Sequence, residues 1–106
     1  MKNVNFGEAV AALKEGKRVT RSSWGNEELF VFRQVPATIG SEIVPKMQSL
    51  PQFVKDEFVR RFNDETSQID AIYYDNQLAH VGLSNLITGW TPAAEDTLAE
   101  DWLILD

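Results

Sequence analysis

The order of apolar and polar residues along the chain predicts its elements. Phe6, Ala9, Val10 and Leu13 recur at the spacing of one helix face. Asn5 precedes them as N-cap, Glu8 follows three residues later as a capping-box partner, and Gly16 supplies a left-handed stop. A short strand around Val19 follows over 17–21, then a tight turn over 22–26 that carries Trp24. Residues 29–35, Leu-Phe-Val-Phe-Arg-Gln-Val, are rich in aromatic and β-branched side chains and end at Pro36, which predicts a strand. Residues 37–50 are mixed and interrupted by Gly40 and Pro45. Phe53, Val54, Phe58 and Phe62 mark a second amphipathic helix, opened at Ser49 or Leu50 with Pro51 in its first turn.

Two β-like runs, 69–74 and 77–81, flank Asp75-Asn76, a dipeptide suited to positive φ, which predicts a β-hairpin. A further strand is expected over 87–90. Thr91-Pro92 is expected to cap a short helical turn reaching Leu98, and a last strand begins at Trp102. The fold class expected is α+β: a small antiparallel sheet with an N-terminal helix, a middle helix and a short C-terminal helical turn. At 106 residues the chain is read as a single domain, 1–106, with 39–70 a longer middle segment.

Composition narrows the function. Hydrophobic residues are 43% and charged residues 25%, the mix of a folded domain. No run reaches the roughly 18–20 apolar residues of a membrane span, no secretory leader is expected from the pattern of residues 1–5, and there is no cysteine for a disulfide or thiolate site. The address expected is cytoplasmic. Residues 1–33 hold six Lys/Arg against four acids, whereas the remainder holds four against twelve, so the body of the protein is strongly acidic. Long duplex nucleic acid is excluded as a partner by that charge. A small anionic ligand held by local Arg and backbone N–H groups is not.

Catalytic chemistry finds little support. His80 is the only histidine and lies in a predicted strand. The acids Glu95, Asp96, Glu100 and Asp101 lack the oxygen spacing of a calcium loop and suit the start of a short helix. No catalytic residue, metal ligand or cofactor is expected. The three tryptophans carry more information. Trp102, in Asp-Trp-Leu-Ile-Leu, follows a strand pattern and is expected in the core. Trp24, in Ser-Ser-Trp-Gly-Asn, and Trp90, in Gly-Trp-Thr-Pro, sit in small, polar surroundings. Each is either a lid on the core or a stacking face. An exposed indole, Arg21 and the N–H groups after Trp90 are the parts that bind a nucleotide-like ligand, since bases stack on aromatic faces and phosphates take guanidinium forks.

The stretch from Phe6 to Trp24 (Phe-Gly-Glu-Ala-Val-Ala-Ala-Leu-Lys-Glu-Gly-Lys-Arg-Val-Thr-Arg-Ser-Ser-Trp) resembles the opening of the second class of Thoeris anti-defence proteins. The stretch from Gly89 to Trp102 (Gly-Trp-Thr-Pro-Ala-Ala-Glu-Asp-Thr-Leu-Ala-Glu-Asp-Trp) looks like that family's closing motif. The resemblance implies a non-enzymatic phage sponge that traps a cyclic ADP-ribose signal, and in some relatives cyclic dinucleotides. It implies a homo-oligomer too, a tetramer with a dimer as minimum, acting in the host cytoplasm. Carried over by position, Trp24 and Trp90 would wall in adenine and ribose, and Arg21 would face the pyrophosphate. Asp96 would accept from ribose hydroxyls or hold its loop. Thr91 belongs to the same motif, and Asn26 and Phe30 follow as a polar reader and a pocket wall.

The order Trp24-Gly25-Asn26 departs from the family's usual Trp-Asn-Gly, and Ala93 stands where a serine is common. Residues 39–70 exceed the middle of compact members, as a pocket roof or oligomer surface. Three other readings stay open: a hydrolase of the same signal using His80 or Asp96 as base, an acidic DNA mimic blocking a defence enzyme, and a structural phage component.

Overall fold

Helix α1 spans Phe6–Lys14, and Asn5 caps it by accepting the Glu8 N–H at 2.9 Å. The helix ends where expected, with Gly16 at φ +87°, a conformation that costs glycine little. The computed structural model describes residues 2–106. After α1 come β1 (Val19–Arg21), a 3₁₀ turn (Ser22–Trp24), β2 (Phe30–Gln34), β3 (Ala37–Gly40) and a second 3₁₀ turn (Val44–Lys46). Then follow α2 (Gln52–Phe62), β4 (Ala71–Tyr74), β5 (Gln77–Val81), β6 (Ile87–Gly89), α3 (Ala94–Leu98) and β7 (Trp102–Ile104). All strand pairs are antiparallel. The α+β architecture expected from the sequence is therefore the one observed.

The described chain forms two compact units. One runs to Gln34 and resumes over Asn76–Asp106; the other is Val35–Asp75. The first holds a five-stranded sheet in the order β6-β5-β2-β1-β7. Val19 faces Val31 on one side and Ile104 on the other, so these three share a sheet face, because directly opposed residues point the same way. Helix α1 supplies Ala9, Ala12 and Leu13 to the same cluster, together with Val4, Val31 and Trp102. Val4 and Trp102 exchange both backbone hydrogen bonds, at 2.8 and 3.1 Å. That bridge ties the chain ahead of α1 to the β7 edge.

In the second unit β3 and β4 form a two-stranded ladder from Ala37–Tyr74 to Gly40–Ala71. Val44, Ala71 and Ile72 are its buried side chains. Helix α2 starts one residue after Pro51, whose carbonyl accepts from Val54 and Lys55. Proline is thus the N-cap, not a residue of the first turn.

The hairpin expected across Asp75-Asn76 does not form. Strand β4 pairs with β3, and β5 pairs with β2 and β6. The expectation failed because β3, in the mixed segment 37–50, provides a partner that local pattern did not reveal. The non-glycine residues at positive φ are Gln68 and Asn85, so neither Asp75 nor Asn76 takes the turn conformation assumed for them. The two ladders keep the same pairing offset. Gln34 stands opposite Gln77, and Ala37 opposite Tyr74, with Val35-Pro36 and Asp75-Asn76 as the residues between the two ladders. Pro36 brings no N–H to a ladder, which accounts for an interruption there.

Candidate functional site

Strand β7 places Trp102 with none of its surface exposed, and its indole N–H donates to the Asp96 carbonyl at 2.8 Å. Three other rings pack on it. Phe6 lies 5.6 Å away, tilted at 48°. Trp24 lies 5.6 Å away at 77° and Trp90 6.0 Å away at 80°, both edge to face. That geometry sets the positive ring edge against the negative face of the neighbour.

Trp24 arrives from the Ser22–Trp24 turn, which closes at Gly25 with φ +75° and a Gly25 N–H to Ser22 carbonyl bond. Its other neighbour is His80, at 5.6 Å and 74°. Trp90 follows β6 and is anchored by its N–H, which donates to the Leu78 carbonyl at 2.8 Å. Both rings are half-buried. They are neither sealed in the core nor free of it.

Arg21, at the end of β1, lies beside the same indole, its guanidinium carbon 6.0 Å from the Trp102 ring centre. Its Nη1 meets Asp96 Oδ1 at 2.9 Å and its Nε meets Asp101 Oδ1 at 2.9 Å. The side chains are 14%, 11% and 24% exposed for Arg21, Asp96 and Asp101. The second oxygen of Asp96 accepts the Ala93 N–H at 2.8 Å. Ala93 is therefore the N-cap of α3, and the helix start is fixed by Asp96 reaching back. Thr91-Pro92, expected as the cap, lies ahead of it, since alanine can serve once the third residue of the helix supplies the carboxylate. Asp101 Oδ2 accepts the Ser23 N–H at 2.9 Å, so this acid also positions the turn that carries Trp24.

Burial alone would raise the Asp101 carboxyl, but the hydrogen bonds from Arg21 and the Ser23 amide outweigh it and hold the group at about 2. Arg21 is raised in turn, first by its bond to Asp101. A depressed carboxyl binds fewer protons folded than unfolded. Its contribution is complete above the unfolded value of about 4 and disappears as pH falls through about 2. Acid titration followed by circular dichroism should thus show about 2 kcal/mol lost between pH 4 and 2. Asp101→Asn should lack that component.

The remaining expected site residues are scattered around this frame. Asn26 accepts the Glu28 N–H through its side-chain oxygen at 2.8 Å, an Asx-type turn. A cup of about 230 Å³ is lined by Arg21, Ser22, Gly25, Asn26, Glu27 and Leu103. It gathers Arg21 and Asn26 beside the Trp24 turn. Phe30 lies on β2 under the Arg18 guanidinium, 5.1 Å from its ring centre, and packs on Phe32. Thr91 is exposed between Trp90 and α3. Arg21, expected to face a pyrophosphate, is engaged by two carboxylates; Nη2 has no hydrogen-bond partner among the described residues.

Two participants were not singled out as site residues by sequence. Asp101 stands in the closing motif one residue before the core tryptophan, and in the fold it shares Arg21 with Asp96. His80, the lone histidine of a predicted strand, walls Trp24. Among the described residues no group of three or more His, Asp or Glu side chains gathers as a metal site, and no helix is long and apolar enough to cross a membrane.

Comparison with known proteins places this frame. The chain is 28% identical over 102 residues to a protein named Thoeris anti-defense 2 from Bacillus phage SP01, covering 96% of this chain and 94% of that protein. A family model, Tad2-like, described as the Thoeris anti-defense 2-like domain, matches residues 4–105. The match includes both tryptophan-bearing ends and the segment between them, and the chain belongs to the Thoeris anti-defense 2-like family.

Proposed function

We propose that the protein is a non-enzymatic sponge that binds a cyclic ADP-ribose-type signal and so blocks Thoeris anti-phage defence. Inhibition of that defence is the coarser part of the reading and rests on the family and on the name of the SP01 relative. The finer part rests on one observation. Trp24 and Trp90 are held edge-on against Trp102 while keeping part of their surface exposed, and the turn that carries Trp24 borders a cup with Arg21 and Asn26 in its wall. Rings fixed in this way can stack on a flat heterocycle without first being ordered, which lowers the cost of binding.

A ligand of this size overfills the cup, whose volume of about 230 Å³ lies below the ~300–1,000 Å³ typical of small-molecule pockets. The proposal therefore includes a homo-oligomer, a tetramer or at least a dimer, in which a second copy supplies further walls. Thr91 and Phe30 would contribute from the rims, and the setting would be the host cytoplasm. Hydrolysis by Asp96 is disfavoured because both of its oxygens are already engaged.

The test is to incubate the protein with the cyclic ADP-ribose product of a TIR-domain enzyme, measure loss of free signal, then denature and assay the supernatant by mass spectrometry. Intact signal recovered at one equivalent per site supports a sponge. Recovery of a cleaved product, or no depletion, overturns it. Trp24→Ala and Trp90→Ala should each weaken capture by roughly 5- to 150-fold, from a stacking contribution of about 1–3 kcal/mol. Because both rings pack on Trp102, each variant should also melt lower than wild type, though by less than a Trp102 truncation.

A further inference from the structure

A second concavity lies in the first unit and shares no lining residue with the cup beside the Trp24 turn. It is a groove of about 450 Å³ lined by Val10, Leu13 and Lys14 of α1, Arg33 of β2, and Asn76, Gln77 and Leu78. Its form follows from register. Arg33 comes two residues after the core residue Val31 and therefore points to the face that α1 covers. Leu78 stands directly opposite Arg33 on β5, so it joins that face. Val10, Leu13 and Lys14 are neighbours on the helix. The result is an aliphatic floor with two cationic side chains in its wall.

Those two cations are unlike most others in the protein. Arg18, Arg21, Arg60 and Arg61 each meet a carboxylate within 2.9 Å. Arg33 has no ion pair among the described residues, and its Nε is shielded from solvent with no hydrogen-bond partner. Lys14 has no ion pair among the described residues either. In a chain of net charge −6 acids are plentiful, yet the ion pairs formed among the described residues go to other cations. A half-buried guanidinium with an unsatisfied donor is stabilised by an anion placed beside it. No aromatic side chain lines the groove, so it offers no stacking face for a base.

We propose that this groove is a binding site for an aliphatic monocarboxylate. The carboxylate is held by Arg33 and Lys14, with the Gln77 amide as a further donor, and the hydrocarbon chain lies on Val10, Leu13 and Leu78. The site shares no lining residue with the cup of the proposed signal pocket, so failure of octanoate to bind would leave that reading standing.

Octanoate is the probe, titrated into the full-length protein by calorimetry and by methyl NMR of Val10, Leu13 and Leu78. Saturable binding with shifts centred on those methyls is expected. The neutral 1-octanol, which keeps the tail and lacks the charge, should bind at least about tenfold more weakly, and inorganic phosphate should not move the methyls. Arg33→Gln should weaken octanoate by about tenfold or more, the loss of a charge-assisted contact, and Lys14→Gln by a few-fold. Lys14 is exposed, so that variant stays folded and decides the matter if Arg33→Gln does not. Equal binding of octanol, equal effects of phosphate, shifts centred elsewhere, or an unchanged affinity in Lys14→Gln and Arg33→Gln would each overturn the proposal.

Discussion

Trp102→Ala is expected to destabilise the unliganded protein by about 3–5 kcal/mol, the range for truncating a large core aromatic. For a domain of this size that lowers the melting temperature by at least roughly 12 °C. The reason is specific to its place. The indole is fully buried, touches Phe6, Trp24 and Trp90, and donates to the Asp96 carbonyl. Its removal leaves a cavity, takes from the Asp96 carbonyl the shorter of its two hydrogen bonds, and leaves two half-exposed indoles without the face they lean on. Thermal unfolding by circular dichroism reads the effect. A variant that melts within a few degrees of wild type would mean that Trp24 and Trp90 are positioned by something other than this ring.

Arg21→Ala should cost nearly as much, about 3–5 kcal/mol, because it leaves the largely buried Asp96 carboxylate without its counter-charge. Asp101 loses its partner in the same step, and the turn carrying Trp24 is tied to Asp101 through the Ser23 N–H. Adding Asp96→Asn to that variant removes the unpaired charge and should recover part of the loss, which a double-mutant cycle on melting would quantify. Arg21→Lys should fall between, since an ammonium cannot fork to two carboxylates as a guanidinium does. Had Arg21 served a ligand alone, its removal would abolish capture and leave the melting curve where it was. The two ion pairs of Arg21 favour the structural outcome.

Local features were readable wherever neighbouring residues decided them. The cap at Asn5, the apolar face of α1, the stop at Gly16 and the core position of Trp102 all depend on short-range pattern. Pairing was not readable across Asp75-Asn76, because both flanking runs look like hairpin arms until Ala37–Gly40 is known to be a strand. That strand includes a glycine, and its pattern gave no period-2 signal. The same division runs through the site. Two tryptophans in polar, glycine-containing loops drew notice as ligand candidates, and they do converge, on a third tryptophan that the sequence assigned to the core. The ion pairs of Arg21 were hidden because its partners lie 75 and 80 residues further along the chain. Charge composition cannot say which acid meets which base.

The matched offset on either side of Val35-Pro36 and Asp75-Asn76 has a consequence for how such a chain diversifies. Gln34 and Gln77 leave the larger sheet as cross-strand neighbours, their side-chain amides bonded at 2.9 Å. Whatever is spliced between them begins and ends at the same spot, and lengthening a closed loop costs little, about 0.6 kcal/mol per doubling. Descendants could exchange that entire insert, by recombination at two points far apart in the gene but adjacent in the fold, while inheriting the tryptophan scaffold untouched.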